Sequence, residues 1–159
     1  MTRVVVIGIG QSLRGDDAAG LEAVRQWRDK FPETANRHGV RIESFELPGL
    51  SLLDAMEDAD AAIMVDAIQS HASAGTIHRL DEKDLSTFTL DAKSAHGWGV
   101  AETLEMGRLI GKIDRVTIRL IGIEAEKVNP GTSLSQSVQA RLPAACRAIQ
   151  EEVLAITDK

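Results

Sequence analysis

Hydrophobic and polar positions follow two periods along this chain. RVVVIGI (3–9) is a β-branched run with no polar residue after its first position, the pattern of a strand covered on both faces. Gly8 and Gly10 interrupt it. Over 18–30 the apolar residues Leu21, Val24 and Trp27 recur at helical spacing. RIESFEL (41–47) alternates and predicts a second strand; Pro48-Gly49 marks a turn. Leu50, Leu53 and Met56 then predict a short helix. AAIMVDAI (61–68) reads as a third, buried strand ending at Asp66, and GTIHRL (75–80) as a shorter, half-exposed fourth. GWGVAETLEMGRLIG (97–111) predicts a helix with Val100, Leu104 and Ile110 on one face. RVTIRLIGIEA (115–125) is the last strand. A long helix over 135–156 keeps Val138, Leu142, Cys146, Ile149, Val153 and Ile156 in register.

Strands that alternate with helices predict an α/β architecture. We expect a three-layer sandwich, a mainly parallel twisted sheet with helices on both faces. The 159 residues fit one domain over 1–159, and neither a repeat nor a linker divides them. Ligands of such sheets bind outside the carboxyl ends of the strands, which makes that rim the place to look.

Composition narrows the partners. The net charge is -6 and no Lys/Arg cluster occurs, which argues against nucleic acid and anionic membrane as partners. No apolar run is long enough to span a bilayer, and no signal-peptide pattern opens the chain. The single cysteine, Cys146, falls on the periodic face of the last helix and reads as a small buried hydrophobe in a reducing, cytoplasmic protein.

Three polar residues fall at the expected rim: Asp17 in GDDAAG, Asp66 at the third strand, and His96 just before a helix. Asp16 alone reads as a helix cap or first-turn acid, favoured by the orphan amides and the helix dipole. Asp17 could share that role, Asp66 could serve a turn, and His96 could cap its helix. His38, His71 and His78 sit in polar or turn-like contexts and are expected in solvent. Taken together, two carboxylates and an imidazole suit a borderline divalent ion with open coordination positions. Other motifs are incomplete. GIGQSL has Leu13 at the third glycine of a dinucleotide fingerprint, GIGQSLRG lacks the GK[ST] of a P-loop, and no GxSxG occurs.

GIGQSLRGDDAAG, FELPGLSLLDAMEDADAAIMVDAI, SAHGWGVAETL and LIGIEAE, in that order, resemble the nickel-iron hydrogenase maturation proteases. These endopeptidases, often classed as aspartic-type, remove a C-terminal tail from the hydrogenase large subunit. SAHGWGVAE resembles the branch serving bidirectional, soluble-type hydrogenases. The resemblance implies a phosphorylase/hydrolase-like sheet between helices. It implies Asp17, Asp66 and His96 as metal ligands, with Asp17 and Asp66 as catalytic candidates inseparable from the metal site. Asp16 is a further candidate base. The implied metal is nickel delivered in the large-subunit precursor, with zinc or cadmium as substitutes. Two positions depart from the family pattern: Gln11 stands where Asn is frequent, and Asp17 where Glu is frequent, one methylene shorter. The alternatives are a small metal-dependent amidase or peptidase, a non-catalytic nickel chaperone, and a nucleotide-binding module.

Overall fold

A computed structural model describes residues 1–47, 49–88, 93–94 and 99–159. In chain order the elements are β1 (Val4–Ile9), a 3-10 turn (Gly15–Ala18), α1 (Ala19–Lys30), α2 (Pro32–Ala35), β2 (Val40–Phe45), α3 (Leu50–Met56) and β3 (Ala61–Gln69). There follow β4 (Ile77–Asp81), α4 (Glu82–Phe88), β5 (Lys93–Ser94), α5 (Val100–Leu109), β6 (Thr117–Glu124) and α6 (Gln136–Thr157). The sheet runs β2-β1-β3-β6-β4, and β5 pairs with β3 off this path. The first four strands of that order are parallel; β4 is an antiparallel edge on β6, and β5 lies antiparallel to the end of β3.

The unbroken apolar runs of β1 and β3 have a physical cause. Side chains alternate across a strand, and here both faces are covered. Val4, Val6, Ile63 and Val65 pack against Ala23 and Trp27 of α1 and against Val138 and Ile149 of α6. Val5, Ile7, Ala62 and Met64 lie under Leu52 and Leu53 of α3 and Leu104 of α5. The three-layer α/β sandwich is therefore as expected. Two polar bonds close the α1 layer: Trp27 Nε1 donates to Gln150 Oε1 at 2.9 Å, and Gln150 Nε2 donates to Thr34 Oγ1 at 2.9 Å. Cys146 is buried in the same layer, where burial pushes its thiol pKa up.

Several boundaries differ from the sequence pattern. Residues 15–18 form a separate 3-10 turn before α1 begins at Ala19. β3 continues to Gln69, so Asp66 lies within the strand and not at its end. The four-residue α2, opened by Pro32, is too short to display a helical period.

Candidate active site

β1 stops at Ile9, and the next residues fold back over the strand ends. Gly10 N donates to Phe45 O of β2 at 2.9 Å, which fixes the direction of exit. Gly10 has φ 149°, and a Cβ there would lie 1.9 Å from Asp17 O. A Cβ on Gly20 would lie 2.2 Å from Val65 O and 2.7 Å from Ile9 O. Bare glycine at these two positions lets the 3-10 turn and the first turn of α1 rest directly on the end of β1 and on the middle of β3. Gly10→Ala combines an unfavourable φ with a backbone collision and is expected to cost roughly 3 kcal/mol. Thermal unfolding checks this; a variant melting with the wild type would contradict it.

The two adjacent acids of this turn have different surroundings. Both are 0% exposed. Asp16 Oδ2 accepts from Glu126 N at 2.8 Å, Lys127 N at 3.1 Å and Ser135 Oγ at 2.8 Å, while Oδ1 accepts from Ser135 N at 2.7 Å. Two backbone bonds run in parallel: Gly15 N donates to Thr132 O at 3.0 Å, and Asp16 N to Lys127 O at 2.7 Å. Asp16 is thus a tether between the turn and the loop that leads from β6 to α6. It caps nothing, since neither the 3-10 turn nor α1 has a side-chain cap. Of the two expected roles the cap is corrected and the first-turn acid stands, since Asp16 lies in the first turn of the 3-10 helix; with both oxygens engaged by four donors Asp16 is poorly suited to act as a general base. The cap belongs instead to Ser135, whose Oγ accepts from Val138 N at the start of α6. Asp17 faces the other way, and its Oδ2 accepts from Gln11 N at 3.3 Å.

Asp66 approaches from the neighbouring strand. The β1–β3 ladder stops at the pair Gly8–Val65, so Asp66 is the first β3 residue beyond it. On its other side Asp66 pairs with Gly122 of β6. It is 1% exposed, and the 3-10 turn packs against its strand. By strand alternation it shares a face with Ala62 and Met64, the face covered by α3 and α5. α5 leads through a short loop into β6 and so runs antiparallel to it, which puts its first turn at the carboxyl rim.

His96 lies outside the described residues. Of the described residues on either side, Ser94 pairs with Ile68 near the end of β3, and Gly99 opens α5. Among the described residues no group of three or more His, Cys, Asp or Glu side chains is placed to hold a metal. What the fold shows is that Asp17 and Asp66, both buried, lie on two elements in contact, the 3-10 turn and β3.

One acid was passed over in the sequence. Glu124 at the end of β6 is buried; it accepts from Ser70 N at 2.8 Å and from Ser70 Oγ, and its Oε1 lies 3.2 Å from His78 Nε2. His78 is therefore half-buried against Glu124 and not in solvent as expected, whereas His38 and His71 are exposed. An acid closing an apolar run, LIGIE, was the available signal. A cavity of about 190 Å³ lined by Arg3, Arg41 and Asp58 opens at the amino ends of β1 and β2, on the opposite side of the sheet from these acids.

A model of the hydrogenase maturation protease family matches residues 47–152. The chain belongs to that family. It is a hydrolase, an endopeptidase of hydrogenase maturation that acts in C-terminal processing of a hydrogenase large subunit. The hydrogenase 2 maturation protease of Escherichia coli (strain K12) is 29% identical over 156 residues, covering 96% of this chain and 89% of that protein. The hydrogenase expression/formation protein HupD of Rhodobacter capsulatus is 31% identical over 143 residues, 88% of this chain and 66% of that one. Among solved structures, the hydrogenase maturating endopeptidase HybD from E. coli superposes with a TM-score of 0.79 at 25% identity, covering 96% of this chain and 92% of that chain. The [NiFe] hydrogenase maturation protease HybD from Thermococcus kodakarensis shares the fold, with a TM-score of 0.74 at 24% identity over 96% of this chain and 99% of that one. The family takes precedence over the amidase, chaperone and nucleotide-binding alternatives.

Proposed function

We propose that this protease removes the C-terminal tail of a nickel-loaded large-subunit precursor, and that Asp17, Asp66 and His96 bind the nickel the precursor carries. The observation that supports this reading is the placement of Asp17 and Asp66. Two buried carboxylates sit on touching elements at the carboxyl rim, where ligands of such sheets bind. Buried carboxylates favour a cation between them. Two oxygens and an imidazole nitrogen suit nickel, with zinc or cadmium as substitutes, and leave positions open for the ligands a substrate-held metal already has.

The metal belongs to the substrate, so it also acts as a checkpoint: a precursor without nickel offers the three side chains nothing to hold. When bound, the ion supplies Lewis-acid polarisation of the scissile carbonyl or acidifies a water. The chain's own carboxylates orient the ion and exclude bulk solvent. A carboxylate oxygen of Asp17 or Asp66 that is not coordinating takes a proton from the attacking water as its oxygen bonds the scissile carbonyl carbon, and returns that proton to the leaving nitrogen as the C–N bond breaks. Asp16 stays outside the chemistry and holds the turn.

The partner is the large-subunit precursor, without nucleic acid or membrane, and the compartment is the cytoplasm. Among the described residues no helix is long and apolar enough to cross a membrane. The test is the intact mass of purified precursor incubated with the protein, with and without prior nickel loading. Nickel-dependent loss of one C-terminal peptide is expected. Equal trimming of nickel-free precursor would overturn the checkpoint.

A further inference from the structure

Glu124 is a buried acid that the chemistry above leaves without a task. It stands where the central strands run to unequal lengths. β1 pairs with β3 as far as Gly8–Val65, and β3 continues to Gln69. β6 accompanies that extension: Asp66, Ala67 and Ile68 pair with Gly122, Ile123 and Glu124. β5 joins at Ile68 and Gln69. Asp66 therefore lies past the last β1 pair, near the carboxyl end of the β3–β6 ladder. Pairs near the end of a ladder open more readily than those in its middle, so whatever closes this end bears on where Asp66 sits.

Glu124 closes it. Its Oε2 accepts from Ser70 N at 2.8 Å, and its Oε1 accepts from Ser70 Oγ and lies 3.2 Å from His78 Nε2. Its backbone N donates to Thr76 O at 2.9 Å, and its backbone O accepts from Gly75 N at 2.8 Å. Ala125 N donates to Ile68 O at 2.8 Å. One residue thus holds the first position after β3, the chain that enters β4, and β4 itself. The clasp is dry, since Glu124 is 2% exposed, and buried donors that lose their acceptor there have no water to turn to. Its effect reaches Asp66 through Ile68. Strand alternation and pairing put Asp66, Ile68, Gly122 and Glu124 on one face of the sheet. Ile68 leans over Gly122, the residue opposite Asp66: a Cβ on Gly122 would lie 2.7 Å from Ile68 Cδ1. Moving Ile68 disturbs the pair that carries Asp66.

We propose that Glu124 is a positioning residue for the cleavage reaction: its bonds to Ser70 and His78 hold the end of β3 on β6 and so fix Asp66. The inference rests on the role proposed for Asp66 and adds the residue that keeps this carboxylate in place. A misplacement of about 1 Å at a reacting group is enough to cost about 10²-fold in rate. The clasp works through its hydrogen bonds and not its charge. A glutamine meets the same partners, its oxygen accepting from Ser70 N and its NH2 donating to Ser70 Oγ and to a neutral His78 Nε2. Leucine has a similar shape and meets none of them.

The experiment compares wild type, Glu124→Leu, Glu124→Gln and Ser70→Ala in two readouts, well below the melting temperature of each. One is the rate of cleavage of nickel-loaded precursor, followed by intact mass. The other is amide hydrogen exchange of the protein by itself. Glu124→Leu is expected to cleave at least about tenfold more slowly and to exchange faster over residues 66–70. The amides of Glu126, Lys127 and Ser135, which bond Asp16, should keep their wild-type exchange. Glu124→Gln should stay within about threefold of wild type in rate and match it in exchange. Ser70→Ala loses only the hydroxyl bond and should fall about threefold, with faster exchange at 68–70; it carries the test if Glu124→Leu does not fold. A Glu124→Leu protein that cleaves within about twofold of wild type would overturn the proposal. So would a glutamine variant as slow as the leucine one, exchange raised evenly along the chain, or Ser70→Ala matching wild type in both readouts. If wild type itself cleaves no precursor, the proposed function falls, and the exchange pattern still decides whether Glu124 clasps β3.

Discussion

Asp17→Ala abolishes processing of the large subunit and leaves the fold intact. The expected loss is at least about 10³-fold in rate, the scale seen when a charged group aimed at the reacting centre is removed. The expected change in melting temperature is small. In the folded protein Asp17 makes a long bond to Gln11 N at 3.3 Å, and its removal also relieves a buried charge. Asp17→Asn separates the two contributions. It keeps the shape and an accepting oxygen while removing the charge, so it too should lose processing and keep its melting temperature. A time course of precursor cleavage with a thermal melt of each variant checks both. An Asp17→Ala protein that trims precursor at the normal rate removes Asp17 from the site.

Asp16→Ala gives the opposite balance. Four donors, three of them backbone amides of the β6–α6 loop, lose their acceptor, which is itself fully buried between that loop and the turn. The cost is roughly 3 kcal/mol, because unsatisfied donors and a lost charge-assisted set outweigh the gain from removing a buried charge. For a chain of this size that is a fall of about 6–12 °C in melting temperature. Processing falls as well, since the same loop positions the turn that carries Asp17. Asp16→Asn should lie between, its amide nitrogen being unable to accept. A calorimetric scan of Asp16→Ala that matches wild type contradicts the tether. The adjacent acids thus separate by assay: one variant is stable and inactive, the other unstable.

The parts of this structure legible in the sequence are those fixed by burial on two faces. β1 and β3 are covered by helices on both sides, so their apolar runs are long, and the helices between them are amphipathic. Asp66 was legible as a residue out of place in such a run. Its position was misread as a strand end because a polar residue usually marks one. β3 in fact runs on to Gln69, three residues past the acid, and past its last pair with β1. The role of Asp16 was not legible, because its partners are 110 to 119 residues away and no local pattern announces them. Nor was the half-burial of His78, whose partner Glu124 is 46 residues on and is brought near it only by the antiparallel edge of the sheet. The short elements α2 and β5 carry too few residues for either period to show.

The central claim is that Asp17, Asp66 and His96 take hold of a metal that arrives in the substrate. Nickel-edge X-ray absorption tests it most directly, recorded on nickel-loaded precursor alone and after mixing with this protein, frozen before turnover. Oxygen and nitrogen ligands added to the nickel on mixing with wild type, and absent with Asp17→Ala or His96→Ala, are the predicted result. A nickel spectrum unchanged by the wild-type protein, or changed by the two variants as much as by wild type, would contradict the claim.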